Sequence, residues 1–229
     1  MGIPMLTENL ADIRLMQLIS PTLPIGAFTY SQGLEWAVEC GWVTDESKLE
    51  NWLIGQMEDG LAYLDLPILQ RQYQSCICHD WDDMQHWAEY LLASRETSEL
   101  RQEEINKGRA LATLLIDLKV PEADAHRDIL DLTQTAGFAL AGNAWQIPVE
   151  KLLLGYAWGW LENQVAAAIK LVPLGQTAGQ RVQLKLAEKM PGIIQSAMNC
   201  SDTQIGASAP ALAIASSLHE SQYTRLFRS

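Results

Sequence analysis

Basic residues are scarce in this sequence: 16 Lys and Arg stand against 28 Asp and Glu, a formal charge of −12 over 229 residues. Such a surface repels phosphate backbones and anionic lipid headgroups unless a local basic patch overrides the mean. No patch of that kind is present. The densest cations, Arg95, Arg101, Lys107 and Arg109, are interleaved with Glu96, Glu99, Glu103 and Glu104, the pattern of a salt-bridged helix face. Neither nucleic acid nor a membrane is therefore expected as a partner.

Long apolar runs are missing as well. The longest weakly charged segment, Leu152 to Ile169, carries Glu162-Asn163-Gln164 at its middle, where a carboxylate in lipid would cost about 2.5 to 3.5 kcal/mol. A buried helix is the expectation there. The opening MGIPMLTENLADIR has no basic stretch followed by an apolar one, so no secretory leader is expected. Gly2 does not make a myristoylation motif, because Leu6 stands where Ser or Thr is needed. The four cysteines, Cys40, Cys76, Cys78 and Cys200, form no regular framework. Reduced thiols and a cytoplasmic location follow as expectations.

Catalytic signatures are equally thin. Ser31-Gln32-Gly33 misses the nucleophile-elbow pattern, since Thr29 occupies the first glycine position and no strand precedes it. No G-x-x-x-x-G-K-[ST] loop occurs. Cys76-Ile77-Cys78-His79 is the most metal-like cluster, but one C-x-C-H without a second ligand group falls short of a zinc site. His86, His126 and His219 are dispersed. A helical metal-dependent hydrolase using Cys76, Cys78 and His79 is the competing enzyme reading, and it needs ligands from elsewhere in the fold. Otherwise no catalytic residue, metal ligand or cofactor is expected.

Helical periodicity is plentiful. Leu10, Ile13, Met16 and Ile19 recur at helical spacing until Ser20-Pro21 stops them. Thr44-Asp45 caps a helix with Leu49, Trp52, Leu53 and Met57 on one stripe. Further helices are read over Leu66 to Tyr73, after Asp80, over Leu100 to Leu118, Asp128 to Ala144, Pro148 to Leu171, Gln176 to Met190 and Pro210 to Tyr223. With no alternating strand, the expected fold is all-α: one multi-helix domain over residues 1–229, its helices packed in more than one layer.

Two segments stand apart. The stretch SPTLPIGAFTYSQGLE, Ser20 to Glu35, packs prolines, glycines and aromatics between two helices. It reads as a loop that anchors Phe28 and Tyr30 in the core and presents Gln32 and Glu35 at the start of a helix. The ending HESQYTRLFRS places Tyr223, Arg225, Leu226, Phe227 and Arg228 where a non-interacting tail would be polar. Tyr, Phe and Arg favour interfaces, so residues 220–229 read as a docking tail, with a folded-back cap as the alternative. Lys170, at the end of the long apolar helix, suits the negative end of its dipole.

The segment Leu23 to Glu35 resembles the most distinctive motif of the urease accessory protein UreF family. The likeness continues through Asp65-Leu66-Pro67, Arg95-Glu96-Thr97-Ser98-Glu99-Leu100-Arg101, Lys170 to Gln176, and Tyr223 to Ser229. The resemblance implies a homodimeric, non-enzymatic chaperone for nickel insertion into apo-urease. Its implied partners are the scaffold protein UreD, also called UreH, and the GTPase UreG. Carried onto this sequence, it assigns Gln32, Glu35, Lys170 and Gln176 to a UreG-facing surface and Tyr223, Arg225, Leu226, Phe227 and Arg228 to a UreD-facing tail.

Overall fold

The computed structural model describes residues 4–206 and 209–229, so the Gly2 motif position lies outside the described residues. Helices account for the regular structure, and no strand occurs among the described residues. In chain order they are α1 (Pro4–Leu18), α2 (Leu34–Glu39), α3 (Glu46–Gly55), α4 (Leu66–Cys78), α5 (Trp81–Ser94), α6 (Ser98–Asp117), α7 (Arg127–Leu130), α8 (Gln134–Ala144), α9 (Val149–Leu171), α10 (Gln176–Ala187), α11 (Met190–Asn199) and α12 (Pro210–His219). The expected caps are in place. Asp45 Oδ1 accepts from Lys48 N and Asp80 Oδ1 from Asp83 N, each at 3.0 Å, satisfying main-chain donors that the first turn leaves orphaned.

Helix α9 runs through the middle and touches α1, α2, α3, α4, α8, α10 and α11. It buries Leu152, Leu153, Tyr156, Ala157, Leu161, Val165 and Ala168, consistent with its apolar composition; among the described residues no helix is long and apolar enough to cross a membrane. Helix α8 is built from small residues and lies against α4 and α6. Where α6 meets the turn before α8, a Cβ on Gly108 would stand 2.8 Å from Leu130 O and 3.0 Å from Thr133 N. Those are main-chain atoms that cannot rotate away. Gly108→Ala is therefore expected to destabilise by about 1 to 3 kcal/mol, read as a lower urea midpoint; an unchanged midpoint would contradict this packing.

Several expectations change. The Asp128 to Ala144 helix is two helices, because Thr133 breaks out to an extended conformation and its hydroxyl accepts from Ala136 N at 3.4 Å, starting α8 afresh. The Gln176 to Met190 helix stops at Ala187, the one expected over Pro210 to Tyr223 stops at His219, and a further helix not expected from the sequence, α11, begins at Met190 with Pro191 in its first turn. Residues Gln56–Asp65 are wound as a π-helix joining α3 to α4, a winding concentrated at functional places. Leu10, Ile13 and Met16 face outward, while Ala11 and Leu18 form the buried side of α1. Phe28 is not a core anchor: it is 62% exposed, whereas Tyr30 is buried as expected.

Candidate partner-binding site

The Ser20 to Glu35 stretch is held by backbone geometry before any side chain acts. Gly26 and Gly33 adopt left-handed φ values of 72° and 76°, and Gln32 between them sits at 53°. Gly33 is doubly required, since a Cβ there would meet Ser216 N at 3.0 Å and Ala215 Cβ at 3.1 Å. Helix α12 thus lies directly on the start of α2. The twist turns Gln32 inward: Trp160 Nε1 and Gln164 Nε2 donate to its Oε1 at 2.7 and 3.3 Å, and its Nε2 donates to Glu103 Oε1 at 2.8 Å. Asn163 Nδ2 donates to Ala27 O at 3.0 Å, tying the loop to α9.

The tail folds back onto this loop. Ser31 donates twice to the Ser229 main-chain oxygen, from N at 2.8 Å and from Oγ at 2.6 Å, and Arg228 N donates to Thr29 O at 2.8 Å. Glu35 is buried beneath it, and its two carboxylate oxygens accept from Leu226 N at 2.6 Å and Phe227 N at 2.9 Å. Ser229 Oγ reaches Glu103 Oε2 at 2.7 Å. Phe227 is 6% exposed, and Lys170 Nζ lies 5.6 Å from the centre of its ring, a cation–π contact. Arg225 pairs with Glu99.

These contacts sort the sequence-selected residues. Glu35 and Phe227 point into the docked seam, and Gln32 points into the protein. Lys170, Gln176, Tyr223, Arg225, Leu226 and Arg228 are exposed. Leu226 keeps 65% of its surface in solvent and Tyr223 is wholly exposed, although both are large and apolar in bulk. Loop and tail therefore form one hydrogen-bonded unit that leaves Phe28, Tyr223 and Leu226 exposed, with Lys170 of α9 against the Phe227 ring.

Beneath the unit lies a cavity of about 370 Å³ with mixed apolar and polar walls, reached by Gln32 and by Gln176 at its rim. The π-helix brings Gln56 and Asp65 to its wall. Gln56 Nε2 and Gln164 Oε1 are buried there without a protein partner, which suits a wet interior. Four carboxylates line it, Asp65, Glu103, Glu104 and Glu162, against two cations, Arg95 and Lys107. Arg95 bridges Asp65 and Glu104, the latter at 2.6 Å, and Lys107 Nζ meets Glu103 at 2.9 Å. Carboxylates therefore outnumber cations, although burial raises the Glu162 pKa and disfavours its charge.

Burial opposes the Arg95 charge, but Asp65 and Glu104 outweigh it and hold the guanidinium well above its ordinary pKa. Burial likewise opposes the Glu104 carboxylate, and Arg95 followed by Lys107 overcomes this to hold its pKa low. Tyr156, buried and beside Asp65 and Glu104, is pushed well above the usual phenol value. The Arg95 to Glu104 sequence read as a helix face is in fact partly interior: Glu103, Glu104 and Lys107 are buried. The four-residue spacing from Glu103 to Lys107 was a visible signal of pairing, though not of depth. Asp65 and Tyr156 carried no such signal.

The Cys76 to His79 cluster does not converge. Cys76 is buried, its thiol pushed up to about 12 by burial, and it lies 3.7 Å from Met84 Sδ. Cys78 and His79 are exposed, and His79 closes α4 in a left-handed conformation. Among the described residues no three His, Cys, Asp or Glu side chains are grouped so as to hold a metal ion. All four cysteines are free thiols.

Comparison with known proteins agrees with the likeness carried by the loop and tail. The UreF family model matches residues 43–187. The urease accessory protein UreF of Pseudomonas putida (strain W619) is 51% identical over 224 residues, covering 98% of this chain and 100% of its own length. That of Alcanivorax borkumensis is 50% identical, covering 97% of this chain and all of its own length, and that of Teredinibacter turnerae is 46% identical over 95% and 98%. Full-length agreement at this level, with the distinctive loop at the centre of the built site, makes the chain a member of the UreF family of urease accessory proteins.

Proposed function

We infer that the protein is a non-enzymatic adaptor that bridges a UreD/UreH scaffold and the GTPase UreG in the assembly that loads nickel into apo-urease. The observation that carries this reading is the loop and tail unit, which leaves Phe28, Tyr223 and Leu226 exposed on a well-bonded frame instead of burying them. Large apolar groups on a rigid support are what interfaces use. The tail residues Tyr223, Arg225, Leu226 and Arg228 would engage the scaffold, with Phe227 as the internal anchor that holds them. Lys170 and Gln176 would face the GTPase, the lysine suiting an acidic patch. Gln32 and Glu35 contribute from beneath, by fixing the loop.

An adaptor without chemistry acts through differential affinity. On this reading it holds the GTP-free form of UreG and releases it as GTP and nickel drive the GTPase to dimerise. The adaptor is itself a homodimer working in the cytoplasm. The cavity, with carboxylates in excess of cations and Asp65, Glu103 and Glu104 already engaged by Arg95 and Lys107, suits transit of a hydrated cation better than a resident metal site. Affinity of UreG for the scaffold-bound protein, measured with and without GTP, tests the mechanism: weaker binding with GTP is expected, and equal affinity defeats it. Lys170→Ala is expected to weaken UreG capture by about tenfold, the scale of one interfacial charge contact, while leaving scaffold binding intact. Equal capture of UreG by both forms would remove Lys170 from the interface.

A further inference from the structure

His219 ends α12 and is 0% exposed. Its Nδ1 lies 2.7 Å from Glu99 Oε2 on α6 and its Nε2 lies 3.2 Å from Glu35 Oε2 on α2. A carboxylate only accepts, and a neutral imidazole carries one N–H. The two contacts therefore need one more proton than a neutral histidine between two carboxylates can supply. Both carboxylate groups also accept from further donors, so the whole set of contacts is satisfied when the ring carries two N–H groups. Glu35 accepts from Leu226 N and Phe227 N, and Glu99 accepts from Arg225.

The surroundings leave this arrangement without a substitute. From α2, Glu35 faces the ring and Glu39 is turned to Gln222. From α6, Glu99 faces it. The neighbouring Glu220 is directed away, accepting from Ser98 N at 2.9 Å and Glu99 N at 3.2 Å, with Arg101 close enough to act on its charge. From the tail, Arg225 reaches Glu99, and from α9, Lys170 is engaged with the Phe227 ring. Among the described residues, the His219 ring thus joins the carboxylate that grips the tail to the one that holds Arg225.

We propose that His219 is a positioning residue that holds the tail on the Ser20 to Glu35 loop only while its ring carries both protons, which makes tail docking pH-dependent. When the second proton leaves, a ring lone pair faces a carboxylate in a buried site. Repulsion then separates α12 from α2 or α6, and the two main-chain donors at Leu226 and Phe227 lose their aligned acceptor.

The test uses the full chain alone, so its outcome does not depend on which partners bind. Hydrogen-exchange protection of the Leu226 and Phe227 amides, corrected for the base-catalysed intrinsic rate, is followed from about pH 6 to about pH 8.5, spanning the imidazole range. In the unaltered protein protection falls by about tenfold or more, the scale of one charged hydrogen bond. In Glu99→Gln the carboxamide can donate to Nδ1 and still accept from Arg225, so a neutral His219 suffices and protection stays level. His219→Gln, which never titrates, also gives a level profile; should it fail to fold, Glu99→Gln carries the comparison. A flat profile in the unaltered protein overturns the proposal, and so does a Glu99→Gln profile that falls as steeply as the unaltered one.

Discussion

Replacing Arg95 by Met is expected to lower the unfolding free energy by about 3 to 5 kcal/mol, the cost of leaving a buried charge without its counter-ion. Among the described residues, Arg95 alone spans Asp65, at the end of the π-helix, and Glu104 on α6. Methionine fills the volume but leaves two buried carboxylates side by side, and Lys107 is already engaged with Glu103. The pH dependence should change with it. The folded pKa of Glu104 is held below its ordinary value of 4.5, so its contribution is complete above that value and is lost as the pH falls through the lower folded one. In Arg95→Met that depression disappears, and the variant should gain stability relative to its own neutral-pH value on mild acidification. Urea unfolding at neutral and mildly acidic pH measures both. A loss under 1 kcal/mol would mean that solvent reaches the cluster and screens it.

Glu35→Ala is the second large effect, and it should appear at the tail before the core. One side chain accepts from two successive main-chain N–H groups of the tail and from His219. Hydrogen bonds to a charged group are worth about 1.5 to 3 kcal/mol each, so removing the carboxylate withdraws about 3 kcal/mol or more from docking, enough for a hundredfold rise in the undocked population. Trypsin cleavage after Arg225 should accelerate accordingly, with helix content preserved because Leu34 and Ala37 still anchor α2. Unchanged cleavage would mean that Ser31 and Phe227 hold the tail without Glu35.

Much of this architecture can be read from the sequence, and the exceptions share a physical cause. Capped, periodic helices such as α3, α5 and α9 announce themselves, because Asp45, Asp80 and Pro148 are local signals. Positions decided by what lies opposite do not. Thr133 splits one expected helix into two only because its cap competes successfully with helix continuation, and the π-winding from Gln56 to Asp65 leaves no periodic trace. The outward face of α1 has helical spacing, yet periodicity cannot say which side the rest of the fold will cover. Phe28 resembles an anchor in composition, but the left-handed turns at Gly26 and Gly33 aim the loop so that Tyr30 is buried instead.

The site divides in the same way. Exposed residues such as Lys170 and Tyr223 stand out because their chemistry is unusual for their place in the chain. His219 looks like an ordinary tail residue, and its two carboxylates lie 184 and 120 positions away in sequence. Glu35 reads as a presented group and is instead the clasp under the tail. Long-range partners of this kind are set by the packing of α2, α6 and α12 together, which no local pattern encodes.

On the proposed adaptor reading, one chain carries two separable partner surfaces. Co-purification of UreG with the UreD-bound protein tests it most directly, comparing the intact chain, a chain ending at Ser221, and Lys170→Ala. Truncation is expected to lose UreD, whereas Lys170→Ala keeps UreD and captures UreG about tenfold more weakly. Capture of neither partner by the intact chain, or loss of both by Lys170→Ala, would contradict it.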